Sequence, residues 1–251
     1  MPTAEVDGAQ LAYKVDGQGP ALVLVHAGIA DMRMWDPLVA LLDHRFRVVR
    51  YDMRGHGETT YTAGESSDAD DLGALLAALD IDTCTLVGAS FGGLVALDFA
   101  SKHPERVERL VLLDAPLPSH DWSERMTSFF EAENAAIEAG RVDEAVQLNV
   151  DQFVPGASSE VQALVAEMQE RAFRLQLELE PEGPGPAPEL SNITMPTTVV
   201  MGENDVQDFI AIAHRLADEV PHATLECIPR TNHLPALERP EAVAALIVSR
   251  R

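Results

Sequence analysis

The sequence predicts an α/β protein: a mainly parallel sheet with helices on both faces, broken by a helical insertion. Three observations predict it. Short continuous apolar runs, such as ALVLV at residues 21–25, suit strands covered on both sides. These runs alternate with segments of helical spacing, the pattern of successive strand–helix–strand units. The alternation lapses between about Pro116 and Leu190, where helical spacing continues with no intervening strand.

Taken in order, residues 4–6 and 10–15 form a hairpin around Asp7-Gly8, a favoured tight-turn pair. Residues 21–25 are the first core strand, entered by a turn that Gly17 and Gly19 bound. Residues 46–51 are the second strand, 70–79 an amphipathic helix and 83–87 the third strand. A helix over 91–102 must stop before Pro104. Strands follow at 110–113 and 197–201, a helix at 206–220, a last strand at 224–228 and a closing helix at 240–248. Within the lapse, residues 122–139, 142–153 and 159–179 show helical spacing. Residues 180–189, EPEGPGPAPE, are too rich in Pro and Gly to continue a helix. The expected organisation is a core domain of residues 1–116 and 191–251 with a helical cap of residues 117–190 over the sheet edge.

Composition narrows the function classes. With 46% hydrophobic residues the 251-residue chain has ample material for a buried core. Lys and Arg number 18 against 41 Asp and Glu, a formal net charge of −23. That sign repels nucleic acid and anionic membrane, both of which need a basic patch. No run approaches the roughly 20 apolar residues of a membrane-spanning helix. The opening MPTAEVDGAQ lacks the basic and apolar parts of a secretory signal, so a cytoplasmic location is expected. Cys84 and Cys227 each sit in an apolar, strand-like stretch outside any metal-binding spacing, and both read as buried structural thiols. Asn192-Ile193-Thr194 fits a glycosylation sequon by chance. No HExxH, GxxxxGK[S/T] or strand-borne GxGxxG is present, so neither metal nor nucleotide cofactor is expected.

The chemistry gathers at strand ends. Gly88-Ala89-Ser90-Phe91-Gly92 fits G-x-S-x-G where that pattern has a mechanical meaning, directly after a strand and opening a helix. The small flanking residues let strand and helix approach closely, and the turn exposes the Ser90 hydroxyl at the positive end of the helix. A serine hydroxyl is a weak nucleophile until a base takes its proton. Of eight histidines, His44, His103, His120, His214 and His222 lie in polar or helix-end contexts. His26 ends the first core strand, and His56 lies in Arg54-Gly55-His56-Gly57. His233, in the loop after the last strand, is the candidate base, because open sheets build their sites at the carboxyl ends of strands. Two aspartates could orient it, Asp205 and Asp114, since both end core strands and lie between Ser90 and His233. Asp205 is favoured because its loop follows the strand nearer in sequence to the His233 loop; Asp114 otherwise reads as a strand-end cap or pocket residue. Donors for a developing oxyanion would be the backbone N–H of Phe91 and one from His26-Ala27-Gly28-Ile29.

At these residues the sequence resembles the α/β-hydrolase superfamily, in its esterase–lactonase–perhydrolase branch. The likeness is carried by LVLVHAG at residues 22–28, RMWD at 33–36, YDMRGHGET at 51–59, LVGASFGG at 86–93, VVMGEND at 199–205 and NHLPALERPEAV at 232–243. It implies an eight-stranded-type sheet with a helical lid. It also implies Ser90, Asp205 and His233 as a catalytic triad, Gly28 and Phe91 as oxyanion-hole donors, and a structural role for His56. Relatives more often show HG where this chain has His26-Ala27. A serine nucleophile argues against dehalogenase and epoxide-hydrolase relatives, which use aspartate, and no HGGPG-like loop supports a proline iminopeptidase. The expected activity is cleavage of a small-molecule carboxylic ester or lactone, with thioester, C–C bond or cofactor-free perhydrolase chemistry as variants. A non-catalytic small-molecule receptor is the alternative from another class. Trp122, Phe129 and Phe130 are the expected substrate-pocket residues, alongside Met126, Phe153, Met168 and Phe173. Arg125, Arg141, Arg171 and Arg174 are further candidates: one of Arg171 and Arg174 could hold a substrate carboxylate, against the plainer reading that they are solvated.

Overall fold

A computed structural model describes residues 1–62, 67–179 and 187–249 of the chain. Strand β1 (Thr3–Val6) pairs antiparallel with β2 (Ala9–Asp16), Val6 opposite Ala9 across the Asp7-Gly8 turn. Strands β3 (Ala21–Val25), β4 (Arg47–Tyr51), β6 (Cys84–Ala89), β7 (Val107–Leu113), β8 (Thr197–Gly202) and β9 (Ala223–Ile228) continue the sheet in parallel, while β5 (Thr60–Tyr61) attaches to β2. The order is β1-β2-β4-β3-β6-β7-β8-β9, with β2 antiparallel to β4.

Helices α1 (Asp36–Leu42), α2 (Asp68–Ala78) and α3 (Phe91–Lys102) precede β7. Helices α4 (Glu124–Glu138), α5 (Val142–Phe153) and α6 (Ser159–Glu178) lie between β7 and β8. Helices α7 (Gln207–Glu219), α8 (Pro235–Glu238) and α9 (Pro240–Ser249) complete the chain. The strands are apolar at consecutive positions because both faces are covered. Val23, Val25, Val49, Leu86, Leu110 and Val199 meet one cluster with residues of α2, α3 and α7. Leu22, Leu24, Val48, Val87, Val111 and Val200 meet a second with residues of α1 and α9. Each fully buried Leu or Val contributes about 1.5–3 kcal/mol. Helices α2, α4 and α6 start at serine caps, Ser67, Ser123 and Ser158, whose hydroxyls accept an N–H of the first turn.

Two short helices escaped the sequence reading. A 3-10 turn over Met32–Trp35 runs into α1, which has only seven residues and a Pro near its start, too few for periodicity to register. The four-residue α8 is hidden in the same way. Cys84 is buried as expected, but Cys227 is exposed, which corrects the expectation that both thiols are buried. It sits on β9, the edge strand, where covering is incomplete and the burial pattern is mixed. Residues 180–186 of the Pro/Gly-rich tract lie outside the described residues.

The strand order sets where a site can form. From β3 the chain passes to β4 on one side and later to β6 on the other, so β3 and β6 are neighbours at a reversal of winding. In open sheets the loops leaving the carboxyl ends of two such strands run to opposite sides, which is where sites form.

Candidate active site

Strand β6 ends at Ala89 and α3 begins at Phe91, leaving Ser90 alone to make the turn at φ 49° and ψ −122°. A non-glycine residue in that region costs about 1–3 kcal/mol and persists only when its surroundings hold it there. Here the Ser90 N–H donates to Leu113 O at 2.8 Å, and the Gly93 N–H donates to Ser90 O at 2.7 Å. Close approach explains the flanking glycines: a β-carbon on Gly88 would lie 2.2 Å from Gly92 O, and one on Gly92 would lie 2.3 Å from His26 O. Ser90 keeps partial exposure, and the Phe91 N–H is the first of α3, at the helix end whose N–H groups lack intrahelical partners.

His233 Nε2 lies 2.8 Å from Ser90 Oγ, and His233 Nδ1 lies 2.9 Å from Asp205 Oδ2. A carboxylate can only accept, so Nδ1 carries the ring proton and donates to Asp205, leaving Nε2 to accept from the Ser90 hydroxyl. Asp205 Oδ1 accepts the Val206 N–H at 2.7 Å. His233 and Asp205 are both buried. The His233 ring is flanked by Phe153 and Phe209, with centroids at 4.8 and 4.3 Å. Its backbone N–H donates to Phe153 O, so α5 helps to hold the loop. Glu238 holds the loop from the other side: its carboxylate accepts the Asn232 N–H at 3.0 Å and the Asn232 side-chain amide at 2.7 Å.

Asp114 ends β7 at φ 48°, fully buried, with Oδ1 accepting the Gly202 N–H at 2.9 Å. Among the described residues, Asp114, Asp205 and His233 are the one set of three side chains offering metal-ligand atoms, all within 4.8 Å of one another. Two of the three already spend those atoms on each other.

Gly28 sits where β3 meets α3: a β-carbon there would lie 3.3 Å from Phe91 Cβ. The loop is pinned from beneath by histidines. His26 Nε2 accepts the Met53 N–H at 3.0 Å, so its Nδ1–H donates to Ala27 O at 2.8 Å. His56 reaches Arg54 O at 2.9 Å and Gly28 O at 3.0 Å; a neutral ring has one proton and donates to one carbonyl at a time. Burial pushes both rings down to about 4, with His26 adding to the fall at His56. Asp52 ties the same loops, accepting the Met32 and Glu58 N–H groups at 2.8 Å.

The three helices between β7 and β8 lie against these strand-end loops. Phe129 packs on Phe153, which touches His233, and Phe130 and Trp122 pack on Phe129 and Phe209. The expected pocket residues Trp122, Phe129 and Phe130 therefore stand one layer behind the ring contacts that Phe153 and Phe209 make. Phe209 was missed because α7 reads in the sequence as a core helix, and Glu238 because a carboxylate that accepts backbone N–H groups leaves no motif. The arginines are engaged elsewhere: Arg171 donates to Gly57 O and pairs with Glu58, Arg174 pairs with Glu170, Arg141 with Glu144, and Arg125 donates to Gln152. Arg171 therefore clamps α6 to the loop after β4, and neither it nor Arg174 is held ready for a substrate carboxylate.

The sequence profile of the alpha/beta hydrolase family matches residues 22–246. An uncharacterized protein of Mycobacterium tuberculosis (strain ATCC 25618 / H37Rv) is 40% identical over 114 residues, 44% of this chain and 33% of that one, so the match spans about a third of that relative's length. A pimeloyl-(acyl-carrier protein) methyl ester esterase of Nitrosomonas europaea is 29% identical over 257 residues, covering 93% of this chain and 96% of the relative. A 3-oxoadipate enol-lactonase 2 of Acinetobacter baylyi is 25% identical over 255 residues, covering 96% and 92%. A solved hydrolase from Pseudomonas aeruginosa PA01 aligns with a TM-score of 0.81 at 27% identity, over 98% of this chain and 96% of that one.

Proposed function

The chain belongs to the alpha/beta hydrolase family, and from that premise we propose that it is a serine hydrolase cleaving a small carboxylic ester or lactone through an acyl-enzyme. The observation that carries the reading is the unbroken chain from Ser90 Oγ through His233 to Asp205, at 2.8 and 2.9 Å. The similarity to an esterase and an enol-lactonase over nearly the whole chain supports the substrate class.

Ser90 attacks the carbonyl carbon as its proton passes to His233 Nε2. The developing oxyanion is taken by the N–H groups of Phe91 and Gly28, a reading supported by Gly28 lying against Phe91 at the start of α3. His233 returns the proton to the leaving alcohol, then takes one from water for deacylation. Asp205 keeps its charge and stabilises the imidazolium. In a lactone the leaving alcohol stays tethered to the acyl group. Helices α4, α5 and α6 serve as a lid, with the aromatic cluster of Trp122, Phe129, Phe130, Phe153 and Phe209 as the apolar side of the substrate site.

The test is turnover of a graded series of p-nitrophenyl esters and simple lactones by wild type and Ser90→Ala. The proposal expects hydrolysis that falls at least about a thousandfold in the variant, in line with loss of a nucleophile. Equal turnover by both proteins would refute it.

A further inference from the structure

The environment of Asp114 is not explained by the reaction above. Its side chain is fully buried, and only one of its two carboxyl oxygens has a donor: Oδ1 takes the Gly202 N–H, while Oδ2 is buried with no partner. Asp205 presents the opposite case. Its Oδ2 takes the His233 ring proton and its Oδ1 the Val206 N–H, so both oxygens are satisfied as a carboxylate. Oxygens of the two acids lie within 4.8 Å of each other.

Two carboxylates sharing a dry site cannot both stay ionised. A buried carboxylate oxygen with no donor also leaves a large desolvation cost uncompensated. One proton removes both problems if it sits on the acid that lacks donors. The geometry points to Asp114 as a neutral carboxylic acid whose Oδ2–H donates to the Asp205 carboxylate, a positioning residue behind the acid of the proposed triad. The inference rests on the serine-hydrolase reading only for that role of Asp205. Burial, followed by the charge of Asp205, pushes the Asp114 carboxyl well above the usual carboxylate range. The charged or titratable groups facing it are Asp205, His233 and Glu238, and the carboxylates among them favour its neutral form. The proton stays on Asp114 throughout turnover. Its effect is to fix the Asp205 carboxylate and spread its charge, which moderates the pull on the His233 proton.

Two measurements test this. With 13C-labelled aspartate, NMR should show one carboxyl that stays protonated as the pH rises past Asp68, whose carboxyl burial and Asp71 push up to about 7. That signal should be absent in Asp114→Asn and retained in Ser90→Ala. In kinetics, Asp114→Leu, which lacks the donor, should lose at least about tenfold in kcat/KM. Asp114→Asn should recover most of that loss, because its amide oxygen can take the Gly202 N–H and its N–H can reach Asp205. The acid-limb midpoint of the Asn variant should match that of wild type, since no charge has been removed. If Asp114 is instead ionised, no protonated carboxyl is lost in Asp114→Asn, and that variant lowers the midpoint by about one unit or more, the usual effect of removing a negative charge beside an imidazolium. Either result overturns the inference. If no ester or lactone is turned over, the hydrolase reading is in question while the NMR signal still decides the proton's place, and Asp114→Leu supplies the assignment if Asp114→Asn fails to fold.

Discussion

His26 and His56 stand close to the candidate site, His26 O against Gly92 and His56 Nε2 on Gly28 O, yet neither ring is offered to Ser90. Each is buried beneath the loop after β3 with both ring nitrogens turned to backbone. Burial holds both near pKa 4, against an ordinary 6.5. Between those values the unfolded ring binds a proton that the folded ring refuses, so stability rises with pH across that window. The contribution is complete above about 6.5 and is lost as pH falls towards 4. Urea unfolding of wild type should therefore weaken more steeply between pH 6.5 and 4 than that of His26→Gln, by up to about 1.4 kcal/mol per pH unit for one proton. Parallel curves for the two proteins would show that the His26 ring is not held neutral. The residue scale also marks what a sequence can reveal. Ser90 announces itself by G-x-S-x-G, and His233 by its place after the last strand. Asp205 and Asp114 both follow strands between Ser90 and His233, so chain order could not rank them, and only the nearness of its strand to the His233 loop favoured Asp205. Their difference lies in hydrogen-bond donors, which only the fold brings near.

At the scale of elements, the sheet was legible because apolar runs covered on both faces leave a strong signal, and the hairpin because Asp-Gly turns do. The elements that escaped are short, among them the turn at Met32–Trp35 with α1 behind it, the two-residue β5, and α8. Helix α8 matters beyond its four residues, since its last residue, Glu238, reaches back to the N–H groups before and after His233. Glu238→Ala should leave the buried Asn232 N–H and side-chain amide unpaired at a cost of about 1–3 kcal/mol. Loosening of the loop should lower kcat by about ten- to a hundredfold with KM little changed, because positioning errors near 1 Å are that costly. Stability and rate equal to wild type would mean that the loop is held by Phe153 O and its neighbours without help from Glu238. Helices α4, α5 and α6 were legible as helices. Their docking includes apolar packing, with Val150, Val165 and Met168 in the same cluster as Leu22 and Val87. It also runs through single contacts, such as Arg171 to Gly57 O and Asp208 to Ser123 and His120, that no periodicity encodes. Burial alone would raise the Asp208 carboxyl, but the Ser123 and His120 hydrogen bonds win and hold it below its ordinary value.

For the whole molecule, the sheet's reversal of winding at β3 and β6 accounts for the location of everything described above. It sets Gly28 beside Phe91, and the parallel order of β7, β8 and β9 brings the loops of Asp114, Asp205 and His233 into one cluster. A net charge of −23 leaves the chain poorly suited to anionic partners and says nothing against a neutral ester or lactone. Among the described residues no helix is long and apolar enough to cross a membrane. The fold was thus readable from patterning, while the layering of the aromatic residues was not: Trp122, Phe129 and Phe130 pack on Phe153 and Phe209, which flank His233, an arrangement that follows from how three helices settle on the sheet. The central claim is that this architecture activates the Ser90 hydroxyl. Its most direct test is covalent labelling of wild type, Ser90→Ala and His233→Ala with a fluorophosphonate, read by peptide mass spectrometry. One stoichiometric adduct on Ser90, absent in Ser90→Ala and formed far more slowly in His233→Ala, is the predicted result. A wild-type Ser90 that stays unlabelled, or labels as fast without His233, would contradict it.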